Sequence, residues 1–484
     1  MKLKELLRGM EILQMHADPE INIHNVVYDT RKTIMPGDLF VAISGFAFDG
    51  NSYIEQAMAQ GAVAVVTAKK PEKDIPYILV SSDRMALAML GINFFGEPAK
   101  SMKMIGVTGT NGKTSVTLLT KHVLERVLGA KVGLIGTMEN LIGQEVIPTE
   151  RTTPENFELQ QLFAAMRSAG CEYCVMEVSS HAIALDRVGG IEFDVAAFTN
   201  LSEDHLIFHK TMENYCDTKA QLFHRCKAAV FNRDDSWYSR ISAGVTCPVI
   251  TTAAKSDAML RAENVSMEAQ RVSFTAVYKE EKVAVSLPIP GGFTVYNALT
   301  VLGIVLQLGI SLTDAAAALA TASGVKGRVE VVPTPGKPYT VLIDYAHTPD
   351  GLENVLSSVR KFCKGRLIAV FGCGGDRDSG KRPVMGKIGT DLSDFAVITS
   401  DNPRNEDPNA IIQDILKGIT RGSDAYVVIE DRRKAIRYAM DKAEKNDIIV
   451  LAGKGHETYQ EIRGVKYPLD ERVEVNEYLS ETEN

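Results

Sequence analysis

No stretch of the chain has the roughly 20 consecutive apolar residues that a membrane span requires, and no basic tract reaches five residues. The first absence argues against a transmembrane helix. The second argues against nucleic acid or an anionic membrane surface as the main partner. The N-terminal run 1–14 is amphipathic, carries acids at Glu5 and Glu11, and lacks a signal-peptide core and a small-residue cleavage site. Cysteine is sparse: seven residues, scattered and odd in number, read as reduced thiols in a cytoplasmic compartment. Repeats and low-complexity segments are also missing.

What is present is ordinary globular composition, 45% apolar and 24% charged, with a net charge of -8. That balance still allows a small anionic ligand, which needs only a local cluster of cations. At 484 residues the chain exceeds one ordinary core and predicts roughly three domains, placed at 1–99, 100–331 and 332–484. In the first stretch Asp38–Ile43 and Ala62–Thr67 read as strands, Asn51–Gln60 as a helix and Phe94–Lys100 as a linker. In the second, strands are expected at Met102–Val107, Tyr173–Val178 and Val195–Thr199, and helices at Ser115–Val127 and Asn297–Leu308. Period-two alternation over 260–290 suggests a β-hairpin region. In the third, strand-like runs recur at 340–344, 366–371, 395–399, 425–429 and 447–451 with helical patterns between them. Such alternation means a parallel doubly wound sheet, whose ligands sit at the carboxyl ends of strands. The polar, glycine-rich phrases of this stretch fall at those ends.

The sharpest local signal is Gly106-Val-Thr-Gly-Thr-Asn-Gly-Lys-Thr114, with a strand before it and a helix after it. Glycines let successive N–H groups turn inward onto phosphate oxygens, and the helix adds its positive end. Lys113 is placed to contact the terminal phosphates and Thr114 to hold Mg²⁺. The general pattern wants glycine where Val107 stands, so the strict motif fails at one position. The plain alternative is a chance glycine-rich turn.

The phrase Thr108-Gly-Thr-Asn-Gly-Lys-Thr114 resembles the variant phosphate loop of the Mur ligases and folylpolyglutamate synthetases. Further phrases resemble Mur ligase motifs in order: Tyr28–Arg31, Pro36–Ala42, Arg151–Pro154, Met176–His181, Thr199–His205, Asp344–Asp350, Gly372–Asp378, Asp401–Arg404 and Gly453–Glu457. The match covers essentially the whole chain. Its best fit is the branch of the family that adds the third peptide residue of the cell-wall precursor. The resemblance implies three α/β domains: a UDP-sugar-binding domain, a central P-loop ATPase-like domain and a C-terminal Rossmann-like domain that binds the amino acid. It also implies an ATP-dependent ligase serving peptidoglycan synthesis, and with it cell shape and division. Folylpolyglutamate synthetases share the loop but are not expected to carry the Asp401–Arg404 and Gly453–Glu457 phrases behind a UDP-sugar domain.

The implied chemistry is amide formation through an acyl-phosphate, in which two anions approach and cations with oriented N–H groups are needed. By resemblance ATP contacts Gly109, Thr110, Asn111, Gly112, Lys113, Thr114, Ser115, Asn297, Arg328, Asp344 and His347. Catalytic roles fall to Lys113, Glu177, His205 and Lys219, with Lys219 carbamoylated. The implied metal is Mg²⁺, held by Thr114, Glu177, His205 and Lys219. Bland readings stand beside these: a solvated strand-end acid for Glu177, a helix cap or zinc pair for His205 with His209, a surface lysine for Lys219. The nucleotide-sugar acceptor, a UDP-N-acetylmuramoyl-dipeptide, is implied at Tyr28, Thr30, Phe46, Thr152, Thr153, Ser179 and Arg187. Departures from the family pattern stand at Leu185, Ile207, Lys210 and Thr294.

The incoming amino acid separates the branches. Meso-diaminopimelate has a distal carboxylate that lysine lacks, and a bidentate arginine is its natural reader. The resemblance gives that pocket to Arg377, Asp401, Asn402, Pro403, Arg404, Gly453 and Glu457. The alternatives are the same reaction with L-lysine, a folylpolyglutamate-synthetase-like ligase, a stand-alone NTPase, and a nucleotide-sugar-binding protein without turnover. Cys171-x-x-Cys174, leading into an apolar strand, reads as core before redox or metal chemistry. The enzyme is expected to be a monomer whose lobes close, because the ATP residues are split between the second and third stretches.

Overall fold

A computed structural model describes residues 1–45, 49–149 and 151–482, in two compact units. The first unit holds residues 1–260 and 300–311, the second 261–299 and 312–484.

The first unit carries two sheets. The smaller has five strands in the order Ile12–His16, Tyr77–Val80, Ala64–Thr67, Leu39–Ala42, Val26–Val27. Only Ile12–His16 runs antiparallel. Leu39–Ala42 and Ala64–Thr67 are buried along their whole length, as continuous apolar runs in a parallel sheet must be. The helix expected at Asn51–Gln60 is a 3₁₀ turn Gly50–Tyr53 followed by an α-helix Ile54–Gln60. The expected linker at Phe94–Lys100 is instead compact. Helix Asp83–Phe94 ends there, and a 3₁₀ turn Pro98–Ser101 leads into the next sheet. Phe94, Phe95 and Phe157 pack on one another there, and their apolar area outweighs the turn chemistry.

In the second sheet Lys103–Thr108 is central, flanked by Tyr173–Glu177 and Val195–Phe198, all parallel. Val132–Ile135 extends one side and Ala229–Asn232 with Val249–Ala253 the other. A meander of Asn140–Ile142 and Glu145–Ile147 closes the first edge antiparallel. The register sets Glu177 against Val107 and Phe198 against Thr108, so three strand ends come level.

The second unit contains the hairpin expected from period-two alternation, Val272–Tyr278 against Glu281–Leu287. The helix expected from Asn297 begins at Gly292. Its six-stranded sheet has the order Glu330–Val332, Thr340–Asp344, Ile448–Ala452, Leu367–Phe371, Phe395–Ile398, Tyr426–Val428. Five strands are parallel, as alternation predicts, but the edge strand Glu330–Val332 is antiparallel. It reaches that edge by a short return rather than a crossover helix, and alternation counting cannot see such a return. A separate ribbon pairs Tyr459–Ile462 with Val465–Pro468.

Candidate functional site

The phosphate loop is a tight turn between the buried strand Lys103–Thr108 and the helix Lys113–Leu128. Val107 lies inside the strand and fully buried, which explains the missing glycine: the turn starts two residues later. Gly109 has φ 149°, and a Cβ there would lie 1.9 Å from Thr199 Oγ1, so no side chain fits. Lys113 Nζ donates to the carbonyls of Gly109 (3.0 Å) and Thr110 (2.8 Å). Asn111 N donates to Asn200 Oδ1 at 2.9 Å, pinning the loop to the end of the neighbouring strand.

Glu177 ends its strand beside the loop and is 1% exposed. Thr114 Oγ1 donates to its Oε1 at 2.9 Å. Thr137 donates twice, N to Oε1 at 2.9 Å and Oγ1 to Oε2 at 3.0 Å. This carboxylate is therefore held by hydroxyls and an amide, and the reading of a solvated strand-end acid is corrected. Thr137 Oγ1 also lies 3.0 Å from Thr152 Oγ1, a hydroxyl able to donate to it, and Thr153 Oγ1 donates to the Glu177 carbonyl (2.8 Å). Ser179 N donates to Thr153 Oγ1 at 3.2 Å. One chain of hydroxyls thus joins the phosphate loop to the candidate acceptor residues. Thr137 was not anticipated; its only signal is a hydroxyl following glycine at a strand end.

Lys219 is buried, so the surface-lysine reading also falls. Its Nζ donates to Gly109 O at 2.9 Å and lies 4.6 Å from the centre of the Tyr215 ring. Burial, and then the charge of Lys113, hold its pKa well below the ordinary lysine value. His205 is half-exposed, at the N-cap position of the short helix Leu206–His209, with no side-chain capping bond. Its Nε2 lies 3.3 Å from Asp204 Oδ2. Its pKa is lowered by burial, against Asp204, with Lys113 and Lys219 adding to the lowering. His205 thus shares the electrostatic field of both lysines, but no hydrogen bond or ion pair among the described residues links it to Glu177. His209 is buried and bonds Ser180 Oγ at 2.9 Å. Among the described residues no three His, Cys, Asp or Glu side chains stand in a metal-holding cluster. Lys210, where the family pattern has glycine, keeps a positive φ of 69°, and Ile207 is fully exposed.

Two of the candidate acceptor residues, Tyr28 and Thr30, line a cavity of about 400 Å³ together with Arg31, Tyr53, Arg84, Arg151 and Glu155 among others. Burial, and then the Glu158 charge, push the Tyr28 phenol up. Arg187 Nη1 donates to Thr153 O at 3.1 Å. Leu185 takes part through its backbone, its carbonyl accepting from Arg84 Nη1 at 3.4 Å. Phe46 lies outside the described residues.

The remaining candidates lie in the second unit. Asp344 ends its strand buried, accepting from Val329 N (2.8 Å) and Ala346 N (2.9 Å). Burial raises its pKa, with those amides and Arg328 opposing. The Arg328 guanidinium lies over the Tyr345 ring, 5.3 Å from its centre, and the His347 and His456 rings also flank Tyr345. Sequence reading passed over both Tyr345 and His456. Asn297 is buried on helix Gly292–Gln307, and Thr294 donates to Pro290 O at 2.9 Å.

The candidate amino-acid pocket joins the two phrases that the sequence left about fifty residues apart. Asn402 Nδ2 donates to Glu457 Oε2 at 2.9 Å. The unanticipated Lys454, fully buried, donates to Asn402 Oδ1 (3.1 Å) and Glu457 Oε2 (2.9 Å). Gly453 has φ 118°, and a Cβ there would meet Asp401 Oδ2 at 2.6 Å. Pro403 is buried, with its carbonyl against Gly375. Arg404 takes φ 50°, donates from Nη1 to Gly375 O at 2.8 Å and lies 3.3 Å from Glu461 Oε2. Its guanidinium is thus oriented on both sides, the arrangement a carboxylate reader needs. Arg377 is exposed and donates to the neighbouring Asp376 carbonyl at 3.1 Å, and among the described residues no hydrogen bond joins it to the rest of the set.

Comparison with known proteins agrees with this geometry. A model of the Mur ligase middle domain matches residues 107–305. One of the Mur ligase glutamate ligase domain matches 327–455, and one of the Mur ligase family catalytic domain matches 22–89. A Clostridium botulinum protein named UDP-N-acetylmuramoyl-L-alanyl-D-glutamate--2,6-diaminopimelate ligase is 48% identical over 99% of this chain and 100% of its own. A Clostridioides difficile protein of the same name is 42% identical over 99% of this chain and 100% of its own. A solved structure bearing that name superposes with a TM-score of 0.76 at 30% identity, covering 100% of this chain and 99% of its own. Among the described residues no helix is long and apolar enough to cross a membrane.

Proposed function

The chain belongs to the Mur ligase family, and from that membership we propose that it adds meso-diaminopimelate to UDP-N-acetylmuramoyl-L-alanyl-D-glutamate at the expense of ATP. The observation that carries this reading is full-length likeness, at 48% identity, to a protein named for that reaction. The Arg404 and Asn402–Glu457 arrangement supports the choice of amino acid.

In the proposed reaction a γ-carboxylate oxygen of the acceptor's D-glutamate attacks the γ-phosphorus of ATP. The bond from that phosphorus to the bridging oxygen breaks, and ADP leaves. The amine of diaminopimelate then attacks the acyl carbon, the carbon–oxygen bond breaks, and orthophosphate departs with one acceptor oxygen. The extra proton on nitrogen is released. Backbone N–H groups of 109–115 and Lys113 hold the ATP phosphates. Asn297 takes the adenine, Arg328 the ATP phosphates, and Asp344 and His347 the nucleotide from the third domain. Tyr28, Thr30, Phe46, Thr152, Thr153, Ser179 and Arg187 take the acceptor. Arg404 reads the distal carboxylate of diaminopimelate, with Arg377, Asp401, Asn402, Pro403, Gly453 and Glu457 completing that pocket.

Glu177, whose carboxylate Thr137 orients, and Thr114 offer oxygen donors that suit a magnesium ion, and His205 with a carbamoylated Lys219 would complete its holders. Its contribution is to neutralise charge as the two anions meet. Lys219 suits carbamoylation because burial and the Lys113 charge disfavour its protonated form, and it is the unprotonated amine that attacks CO₂. We assign domain boundaries at 99/100 and 331/332, a monomeric state and a cytoplasmic location on the same reading.

The test is an amino-acid panel with acceptor and ATP, followed by product mass. Phosphate release that needs both acceptor and meso-diaminopimelate is expected, with an ¹⁸O label passing from the acceptor carboxylate into orthophosphate. Preference for lysine moves the chain to the lysine-adding branch. Hydrolysis of ATP without an acceptor removes the ligase reading.

A further inference from the structure

The acceptor cavity holds more positive charge than its own carboxylates offset. Three guanidiniums surround Glu155. Arg187 Nε lies 2.9 Å and Arg151 Nη1 3.4 Å from its Oε1, and Arg84 Nη1 lies 3.7 Å from its Oε2. The Glu155, Arg187 and Arg84 side chains are 12%, 15% and 19% exposed, so their charges are screened less than surface pairs are. Among the described residues one carboxylate faces three guanidiniums here, a local excess of two positive charges, while Asp29 and Arg31, which also line the cavity, pair with each other. The arginines oppose one another: burial lowers the pKa of Arg187, Glu155 raises it, and Arg151 and Arg84 lower it again. The Nε of Arg187, although close to Glu155, has no aligned hydrogen-bond partner. Arg84 spends its Nη1 on a long contact of 3.4 Å with Leu185 O. The thirteen-residue helix Asn156–Ser168 starts directly after Glu155 and adds its positive end to the same place. Arg84, Arg151 and Glu155 all line the cavity.

We propose that Arg84 and Arg151 bind an oxyanion of the nucleotide-sugar acceptor, and that Glu155 is the internal counterion holding them in position. This rests on the acceptor-pocket reading above. Two groups of such an acceptor have the required chemistry, its diphosphate and a carboxylate of its peptide. Planar guanidiniums on separate chain segments suit either one, because each can take two oxygens at once.

The experiment is calorimetric titration of the full-length protein with uridine, UDP and UDP-N-acetylmuramoyl-dipeptide. The variants are Arg84→Gln, Arg151→Gln and Glu155→Gln. Each arginine variant is expected to bind the acceptor about tenfold more weakly, the size of one charged hydrogen bond. Uridine binding should not change. A parallel loss with UDP assigns the pair to the diphosphate; a loss with the full acceptor alone assigns it to the peptide carboxylate. Glu155→Gln keeps the side-chain size and removes the competing charge, so the anion should bind more tightly and with steeper salt dependence. Arg84→Lys and Arg151→Lys should recover part of the loss, and ADP binding in every variant reports on folding. Acceptor affinity unchanged in both arginine variants overturns the proposal. Weaker binding by a folded Glu155→Gln overturns the counterion role. A wild-type protein that binds neither UDP nor acceptor defeats the parent reading instead, so the two failures are separable.

Discussion

Lys219 shows what burial does to a single group. On a helix that also carries Glu213 and Asp217 it reads as a surface lysine, yet its side chain is enclosed, with the Gly109 carbonyl and the Tyr215 ring against its nitrogen. Burying a charge is costly, so enclosure beside the phosphate loop, with the Lys113 charge nearby, lowers the amine's pKa well below the ordinary lysine value. Lys219→Ala should reduce turnover by about 100-fold or more, the range for losing one preorganised charged group, and added acetate should restore part of it. Full activity of the variant, or no rescue, removes the carbamate from the mechanism. Arg404 makes a different point. A left-handed backbone and two polar partners fix its guanidinium before any ligand arrives. Arg404→Ala should raise KM for diaminopimelate about 100-fold, as losing a bidentate pair does, and leave the ATP dissociation constant within twofold. Equal losses for both substrates would show a folding defect rather than lost recognition.

Among elements, the helices Arg432–Lys442 and Glu471–Thr482 are tied by a fully buried ion pair, Arg432 Nη2 to Glu471 Oε1 at 2.7 Å. Burial works against the arginine charge, but Glu471 and Asp401 hold its pKa above the ordinary value. Arg432 also donates to Ala452 O at 2.9 Å, fixing the strand end from which Gly453 and Lys454 project. Removing one partner strands a charge in the interior. Glu471→Ala is therefore expected to lower unfolding stability by about 3–5 kcal/mol, read by urea titration. The double replacement Arg432→Met with Glu471→Leu should recover most of it; a loss below about 1 kcal/mol in the single variant would show that the pair contributes little. In the sequence Arg432 reads only as part of a polar phrase, 430–433, at a strand end, and Glu471 as one acid in an ordinary charged run.

At the scale of the whole molecule, the sequence is legible where one physical rule acts alone. Apolar runs such as 340–344 and 366–371, alternating with helical patterns, read as buried parallel strands, and period two over 260–290 as a ribbon. The phosphate loop was legible because glycine spacing reflects local backbone geometry. The antiparallel edge Glu330–Val332, the packed Phe94–Phe95 corner and Thr137 were not, because each depends on what the chain meets far along its length. The sequence by itself determined the α/β class, the order of the motifs and the chemistry each phrase can carry, since periodicity and turn residues act over a few positions. Only the tertiary structure decided that Glu177 is clasped by hydroxyls, that Lys219 is buried, and that three arginines converge on Glu155. Those facts come from strand register and side-chain burial, which are set by contacts between distant residues competing for the same space.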